Sequence, residues 1–214
     1  LKGHGGLEQL EYRDDVPVPT PAAGEVLVKV GAAAVNNTDI NTRIGWYSKS
    51  VATATADAVA QTANEATDGG WAGNPFVFPR IQGTDVCGRI VAVGAGVAEA
   101  RIGQRVIVDP VLRTADRSLA NVGYVGLERD GGFAEFATVP ASNASRIESA
   151  LTDVELASFP CAYGTAENLL TRANVVQGET VLVTGASGGV GSAIVQLARL
   201  RGARVIAVTK GDKA

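Results

Sequence analysis

One stretch near the C-terminal end of the sequence constrains the fold more than any other. Residues 179–210, ETVLVTGASGGVGSAIVQLARLRGARVIAVTK, contain an apolar strand, a glycine-rich turn, a helix with an apolar face and a second apolar strand. Val181–Val183 is a continuous apolar run, as expected for a parallel strand that is buried on both faces. The stretch therefore predicts a βαβ unit, the beginning of an α/β domain.

The glycine turn of this unit has the composition of a dinucleotide-binding turn. It follows G-x-G-x-x-G except at the first position, and its residues are Ala186, Ser187, Gly188, Gly189, Val190 and Gly191. Gly188 would let the backbone approach a pyrophosphate, and Gly191 would let the helix pack close to the strand. The helix start offers N–H groups and a positive dipole to phosphates. Because a strand precedes the turn and a helix follows it, we expect a dinucleotide site, with a purely structural turn as the alternative.

The end of the second strand indicates which dinucleotide binds. An acidic residue about 20 positions past the glycines would bind the ribose hydroxyls of NAD. Thr209 and Lys210 stand there instead. Because a lysine attracts a 2′-phosphate, the sequence favours NADP, while Asp212 nearby leaves NAD open.

The first 150 or so residues are rich in short strands separated by turn signals. Val26, Val28 and Val30 alternate along one strand, as in a sheet with one buried face. This pattern predicts a partly closed barrel or sandwich with strands near residues 7–12, 25–35, 86–93, 105–109 and 133–140. Residues 36–47 indicate a loop or short helix. The Ala- and Thr-rich segment 48–74 indicates a solvated insertion, or alternatively a lid over a substrate pocket.

The pattern changes near residue 150. Thr152 and Glu155 have the spacing of a capping box, so a helix is expected to start there and to be interrupted by Pro160. A second helix is predicted over residues 162–173. We therefore expect two domains, residues 1–150 and residues 151–214.

Composition excludes several classes of function. The net charge is −3 and the basic residues are scattered, which gives no reason to expect a nucleic-acid partner. No run approaches the ~18 apolar residues of a membrane span. Two cysteines make a disulfide framework unexpected and favour a reducing cytoplasm. Cys87 is expected in the core, whereas His4, beside several glycines, is expected to be solvated.

Five motifs, in order, resemble those of the medium-chain dehydrogenase/reductase superfamily, especially its zinc-free, quinone oxidoreductase-like branch. The resemblance covers nearly the whole chain and rests on Ala34–Gly45, Gly83–Val108, Gly131–Pro140, Ala162–Leu170 and Glu179–Thr209. It implies a GroES-like β-rich domain followed by a Rossmann domain, with the active site in the cleft between them and a homodimeric assembly. It also implies that this chain is truncated at both ends and holds only the first βαβ unit of the Rossmann domain.

The resemblance also bears on zinc, because the zinc enzymes of the superfamily use three protein ligands. Two of the matching positions hold Asn36 and Thr84, and only the third, Cys161, keeps a ligand. One ligand cannot hold a catalytic zinc ion, so the resemblance implies a zinc-free enzyme. Cys161 is then expected to be an inert small residue.

The implied activity is NADPH-dependent hydride transfer to a quinone or an α,β-unsaturated carbonyl compound, a small-molecule substrate. By their match to the cleft loop, the candidate donors to the developing oxyanion are Asn36, Thr38, Asn41 and Tyr47. Ordinary hydrogen bonding within a loop is the alternative for each. The resemblance alone implies that Thr165 faces the nicotinamide. Asp39 is expected to be a capping or turn residue rather than a base.

Three other functions compete with this one. The first is a non-catalytic dinucleotide-binding or structural protein. The second is a zinc-dependent alcohol dehydrogenase, which Asn36 and Thr84 disfavour. The third is a short-chain dehydrogenase, because residues Thr184–Gly191 also match the glycine pattern of that family. That family needs Tyr-x-x-x-Lys downstream, and no tyrosine of this chain has a lysine four residues later.

Overall fold

A computed structural model describes residues 1–52, 67–71, 75–113 and 122–210. Most of the predicted insertion at 48–74, and Asp212, therefore lie outside the described residues. Contacts divide the chain into two compact units, Leu1–Ser158 and Phe159–Ala214. Each unit is described separately below.

The first unit is built on an antiparallel sheet with the strand order β6-β1-β2-β3-β7. Its strands, together with the short β4–β5 pair, are β1 Glu25–Ala34, β2 Asp85–Val93, β3 Arg105–Val108, β4 Val111–Leu112, β5 Gly123–Tyr124, β6 Phe136–Pro140 and β7 Ala144–Arg146. Alternate side chains of β1, Val26 and Val28, are fully buried in an aliphatic core with Val86, Ile90 and Val106. Val30 packs against this core at its edge, so the predicted shared face of the three valines is confirmed, whereas Leu27 on the opposite face is buried as well.

The register of β1 and β2 positions the loops that follow and precede them. The pairing runs from Val26 opposite Val93 to Ala34 opposite Asp85, with one extra residue in each strand, Val91 in β2 and Gly31 in β1. The last residue of β1 therefore lies beside the first residue of β2. As a result, the loop after β1 and the residues just before β2 meet at one end of the sheet.

Two short helices in this unit start with capping boxes. Helix α1 spans Asn37–Arg43 and helix α2 spans Asp153–Ala157. The predicted box of Thr152 and Glu155 is confirmed. Leu156 and Ala157 of α2 pack with Cys87 of β2. Because α2 packs on the sheet of the first unit, the contacts divide the chain after Ser158 rather than near residue 150.

The second unit contains the expected βαβ arrangement. Its elements are α3 Pro160–Arg172, β8 Thr180–Thr184, α4 Gly189–Leu200 and β9 Arg204–Val208. The two strands are parallel and in register from Thr180 opposite Arg204. Leu170, Ala198 and Ala203 form the buried cluster that joins the helices to the strands. Pro160 begins α3 rather than interrupting a helix, since the first position of a helix needs no N–H donor. The predicted fold class, a β-rich domain followed by a βαβ unit, is confirmed.

One predicted strand is wrong. Leu7–Gln9 forms a 3₁₀ helix instead of part of a strand over residues 7–12. The Glu8 carboxylate accepts a hydrogen bond from the Gly6 N–H at 2.8 Å, and the Leu10 N–H bonds back to the Leu7 carbonyl. These local bonds satisfy the backbone without a neighbouring strand.

The expectation that His4 is solvated is also wrong, because its side chain is only 2% exposed. The ring Nδ1 lies 2.8 Å from the Thr42 carbonyl oxygen at the end of α1, to which it donates. The rings of Phe76 and Phe78 pack around it at 5.4 and 4.8 Å. Its other nitrogen, Nε2, is buried without a hydrogen-bond partner in the described part of the chain. His4 therefore joins the N-terminal segment to the core.

His4 should make stability depend on pH. Burial lowers the pKa of His4, although the Thr42 carbonyl and the nearby charge of Asp68 oppose that shift. The unfolded chain then binds a proton more readily, so this contribution is complete above the usual pKa of about 6.5 and is lost as the pH falls through the folded-state pKa. We expect wild type to lose on the order of 1 kcal/mol more than His4→Phe between pH 7.5 and 5 in urea unfolding. Parallel pH profiles for the two proteins would contradict this prediction.

Candidate functional site

The glycine turn of the second unit is an open loop at the start of α4. Gly185 follows β8 with a φ of +63°, and the Gly188 N–H closes the turn on the Gly185 carbonyl at 3.0 Å. The Ala186 N–H bonds to the Val208 carbonyl, which ties the turn to the end of β9. Gly188 caps α4 without a side-chain hydrogen bond. The first N–H groups of α4 therefore have no side-chain cap, and a helix offers them no acceptor of its own.

The three glycines of the turn differ in the space around them. A Cβ atom on Gly191 would lie 2.2 Å from the Gly185 carbonyl oxygen, closer than real contacts allow. A Cβ on Gly188 or Gly189 would meet its nearest atom at 3.4 or 3.7 Å, and both residues are exposed. Gly191 is thus required for packing, while the other two present backbone to solvent. Phosphate binding at this turn stays a prediction.

The residues at the end of β9 reach the same turn. The hydroxyl of Thr209 lies 2.9 Å from the hydroxyl of Ser187, and Lys210 is exposed immediately after it. The turn therefore offers backbone N–H groups, two hydroxyls and a nearby cation, a donor set that fits the phosphates and ribose of a dinucleotide. Thr165 is exposed on α3 of the same unit, but no hydrogen bond within the described ranges joins it to the turn.

A separate candidate site lies in the first unit, where β1 ends and α1 begins. The Asn36 side-chain oxygen accepts from the Thr38 N–H at 3.4 Å, and the Asp39 carboxylate accepts from the Asn36 N–H at 2.8 Å. The Asn36 amide nitrogen donates to the Asp85 carboxylate at 3.3 Å. The sequence alone did not single out Asp85. Its contact with Asn36 joins the two loops.

Asp39 is a structural residue, as the sequence predicted. Its carboxylate also accepts from the Gly83 N–H at 3.1 Å and from the Thr84 N–H, and the residue is 4% exposed. Burial raises the pKa of Asp39 above its ordinary value, although these backbone N–H groups oppose the shift. The Gln82 amide donates to the Asp39 carbonyl at 2.9 Å. Helix α1 is therefore tied to the residues that precede β2.

The other predicted donors differ in accessibility. Thr38 and Tyr47 are partly exposed, and the Tyr47 ring packs against Trp46 and Trp71 with centroid distances of 5.5 and 5.1 Å. Asn41 is 7% exposed, and its side-chain oxygen has no hydrogen-bond partner among the described residues. Asn36, Thr38 and Tyr47 can therefore contact a ligand from the surface, whereas Asn41 is buried.

Two of the three expected zinc positions, Asn36 and Thr84, do not carry zinc ligands. The Asn36 side chain is engaged in capping and in the bond to Asp85, and the Thr84 hydroxyl is buried without a partner within the described residues. Among these same ranges, no group of three or more His, Cys, Asp or Glu side chains could hold a metal. An amide and a hydroxyl are not the ligands that catalytic zinc uses.

Cys87 is fully buried, as predicted, and burial raises the pKa of its thiol to about 11. A thiol that resists ionisation is a poor nucleophile and a poor metal ligand.

Over the ranges that the structure describes, no helix has the length and apolar character needed to span a bilayer.

Comparisons with known proteins identify the family. The model of the alcohol dehydrogenase GroES-like domain matches residues 22–149, more than half of the chain. The acryloyl-coenzyme A reductase of Metallosphaera sedula is 33% identical over 226 residues, which cover 100% of this chain and 58% of that protein. The quinone oxidoreductase of Rattus norvegicus is 31% identical over 210 residues, which cover 98% of this chain and 51% of that protein.

A solved structure extends the comparison to three dimensions. It belongs to a protein of Sinorhizobium meliloti 1021 that is provisionally classed as an alcohol dehydrogenase. The TM-score is 0.84 and the identity 53%, over 100% of this chain and 56% of that one. This chain thus spans little more than half the length of the relatives that it matches. The chain belongs to the alcohol dehydrogenase GroES-like family, within the medium-chain dehydrogenase/reductase superfamily.

Proposed function

We propose that this chain acts in an NADPH-dependent oxidoreductase that transfers hydride to a quinone or an α,β-unsaturated carbonyl compound without zinc. The observation that carries this proposal is the uncapped start of α4 at an exposed glycine turn, with Lys210 at the end of the neighbouring strand. The similarity to an acryloyl-coenzyme A reductase and a quinone oxidoreductase supports an enzyme that reduces conjugated acceptors.

The second unit would bind the cofactor. The first N–H groups of α4 would hold the pyrophosphate, and the hydroxyls of Ser187 and Thr209 would face the adenosine ribose. Lys210 would attract a 2′-phosphate, which NAD lacks. When bound, the cofactor supplies the hydride. The protein's part is to hold and orient it, since neither hydroxyl nor lysine takes part in the transfer.

The first unit would supply donors to the substrate. Hydride addition to an electron-poor carbon moves an electron pair onto the carbonyl oxygen, which then needs hydrogen-bond donors. Asn36 keeps one N–H of its amide beyond the bond to Asp85, and Thr38 and Tyr47 carry hydroxyls. A conjugated acceptor spreads the developing charge over several atoms. It therefore depends less on a Lewis acid than a saturated ketone does.

The first test is cofactor selectivity in the full-length natural protein. Fluorescence titration should give a lower Kd for NADPH than for NADH, because only NADPH carries the phosphate that Lys210 attracts. Lys210→Ala should weaken NADPH binding about tenfold, the loss of one charge-assisted contact of about 1.4 kcal/mol, and leave NADH binding unchanged. Lys2→Ala, which removes an exposed lysine from the first unit, is the matched control. Equal loss for both cofactors, or none, would contradict the assignment of Lys210.

The second measurement tests the reaction itself. Oxidation of NADPH is followed at constant enzyme with a quinone, an enone and a saturated aldehyde, each with and without a chelator. We expect turnover of the conjugated acceptors that is insensitive to the chelator. Activity with the saturated substrate that the chelator abolishes would point to a zinc-dependent alcohol dehydrogenase. Tight NADPH binding without turnover of any acceptor would favour a non-catalytic dinucleotide-binding protein.

A further inference from the structure

Asp85 is a buried carboxylate with no direct role in the proposed reaction. It is the first residue of β2 and is 1% exposed. A charged group this deep is costly unless hydrogen bonds compensate it. The Asn36 amide nitrogen provides one such bond at 3.3 Å. In the sheet, Asp85 lies opposite Ala34, and Ala34 is two residues before Asn36 in the chain. The strand register therefore fixes the position of the Asp85 carboxylate relative to the loop that contains Asn36.

The bond to Asp85 determines the orientation of the Asn36 amide. An amide group presents two donors on nitrogen and an acceptor on oxygen, and the two ends have nearly the same shape. The Asp85 oxygen accepts this bond, so it selects the orientation with the nitrogen toward Asp85. The amide oxygen is then directed to the Thr38 N–H, where it caps α1. The flipped amide would place two oxygens against each other and lose the cap.

The other polar groups of Asn36 make hydrogen bonds within the loop. Its backbone N–H bonds to Asp39, so only the second hydrogen on the amide nitrogen is left to donate to a ligand. Asn36 is partly exposed, whereas Asp85 is not. A substrate oxygen can therefore contact Asn36 but not the carboxylate behind it.

We propose that Asp85 is a positioning residue, whose buried carboxylate fixes the Asn36 amide so that its remaining N–H donates to the substrate oxygen during hydride transfer. This inference rests on the proposed function. It assigns Asp85 a role through Asn36, with no contact to substrate or cofactor. Because a misplaced donor stabilises the transition state less than a fixed one, the loss of Asp85 should appear in kcat rather than in cofactor affinity.

A double-mutant cycle in the full-length protein tests this role. In Asp85→Leu, kcat for quinone reduction should fall at least about tenfold while the Kd for NADPH stays within about twofold. In an Asn36→Leu background, the same change should lower kcat less than about twofold further, because the amide it orients is gone. Asp85→Asn keeps an acceptor at the same volume and should recover most of the loss. Asp109→Asn, a carboxylate elsewhere in the first unit, is the control and should keep wild-type kcat.

A readout independent of turnover separates this inference from the proposed function. The side-chain amide signal of Asn36 in a ¹⁵N NMR spectrum is identified by its absence in Asn36→Leu, and its hydrogen exchange should be faster in Asp85→Leu than in wild type. Unchanged exchange, or an equal loss of kcat in both backgrounds of the cycle, would overturn the positioning role. Wild-type protein that binds NADPH but reduces no acceptor would overturn the proposed function. The role of Asp85 in catalysis would then fall as well, even if hydrogen exchange shows the bond between Asn36 and Asp85.

Discussion

Gly191→Ala is expected to destabilise the second unit by about 3 kcal/mol and to abolish measurable NADPH binding. The added Cβ would lie 2.2 Å from the Gly185 carbonyl oxygen and 2.8 Å from the Ala186 Cα atom. Both are backbone atoms of the turn, so no side-chain rotation relieves the overlap. Overpacking of this kind typically costs 1–3 kcal/mol and occasionally more. Relief by moving α4 would displace the N–H groups that we assign to the pyrophosphate.

Gly189→Ala is the matched control. It lies two residues earlier in the same helix, and its Cβ would meet only the Ala162 Cβ, at an ordinary contact distance of 3.7 Å. Alanine also favours a helix over glycine by up to about 1 kcal/mol. Its free energy of unfolding should therefore stay within about 1 kcal/mol of wild type.

Urea unfolding followed by circular dichroism measures the stability of both variants, and hydrogen exchange of peptides from residues 179–210 locates the effect. Faster exchange in Gly191→Ala but not in Gly189→Ala is the expected result. Wild-type stability and NADPH affinity in Gly191→Ala would show that α4 does not need close contact with the turn.

Local sequence signals predicted the elements of the second unit. A continuous apolar strand, a glycine turn and the apolar face of α4 are each determined within a few residues, and all of them occur in the structure. The expectation that the strand is buried on both faces is wrong, because Leu182 of β8 is 63% exposed. The capping box at Thr152 belongs to the same class of signal, since both partners lie within one helical turn. The same holds for Asp39, which was expected to be a capping or turn residue and forms the capping box of α1 with Asn36.

Features that depend on distant parts of the chain were missed. The bond between Asn36 and Asp85 joins residues 49 positions apart, and it requires the register of β1 and β2 with its two irregularities, one in each strand. A shift of one residue in this pairing would turn the Asp85 side chain to the other face of the sheet. His4 was misjudged for the same reason, because its burial comes from Phe76 and Phe78 rather than from neighbours in sequence.

The unit to which α2 belongs also depends on distant contacts. The sequence marks the start of α2 correctly but carries no local sign of which unit the helix joins. The contact of Leu156 with Cys87 and the ion pair of Arg105 with Asp153 at 2.6 Å place it on the first sheet. Arg105 also donates to the Leu151 carbonyl just before the helix. These contacts place α2 in the first compact unit, and the domain boundary near residue 150 stays a prediction.

Asp39→Ala should lower the free energy of unfolding by about 4 kcal/mol. The carboxylate accepts from the N–H groups of Asn36, Gly83 and Thr84. Its removal leaves buried donors without partners, at about 1–3 kcal/mol for each group that water cannot reach. Asp39→Asn retains one acceptor oxygen and should lose about half as much. A loss below about 1 kcal/mol in Asp39→Ala would show that water replaces the carboxylate.

The pH dependence of Asp39 distinguishes it from the corresponding residue of the second capping box, Glu155. Burial raises the pKa of Asp39, so its stabilising contribution is present below the unfolded-state pKa and is lost as the pH rises through the folded-state pKa. The bonds from Thr152 lower the pKa of the exposed Glu155 carboxyl. Its contribution is therefore present above the unfolded-state pKa and is lost as the pH falls through the folded-state value.

Urea unfolding of wild type, Asp39→Asn and Glu155→Gln between pH 3 and 7 tests this contrast. Relative to wild type, Asp39→Asn should become less destabilising as the pH rises, and Glu155→Gln should become more so. The two slopes must have opposite signs, because the same motif is buried at the start of α1 and exposed at the start of α2. Slopes of the same sign would mean that water reaches Asp39 and that the junction between α1 and the residues before β2 is open in solution.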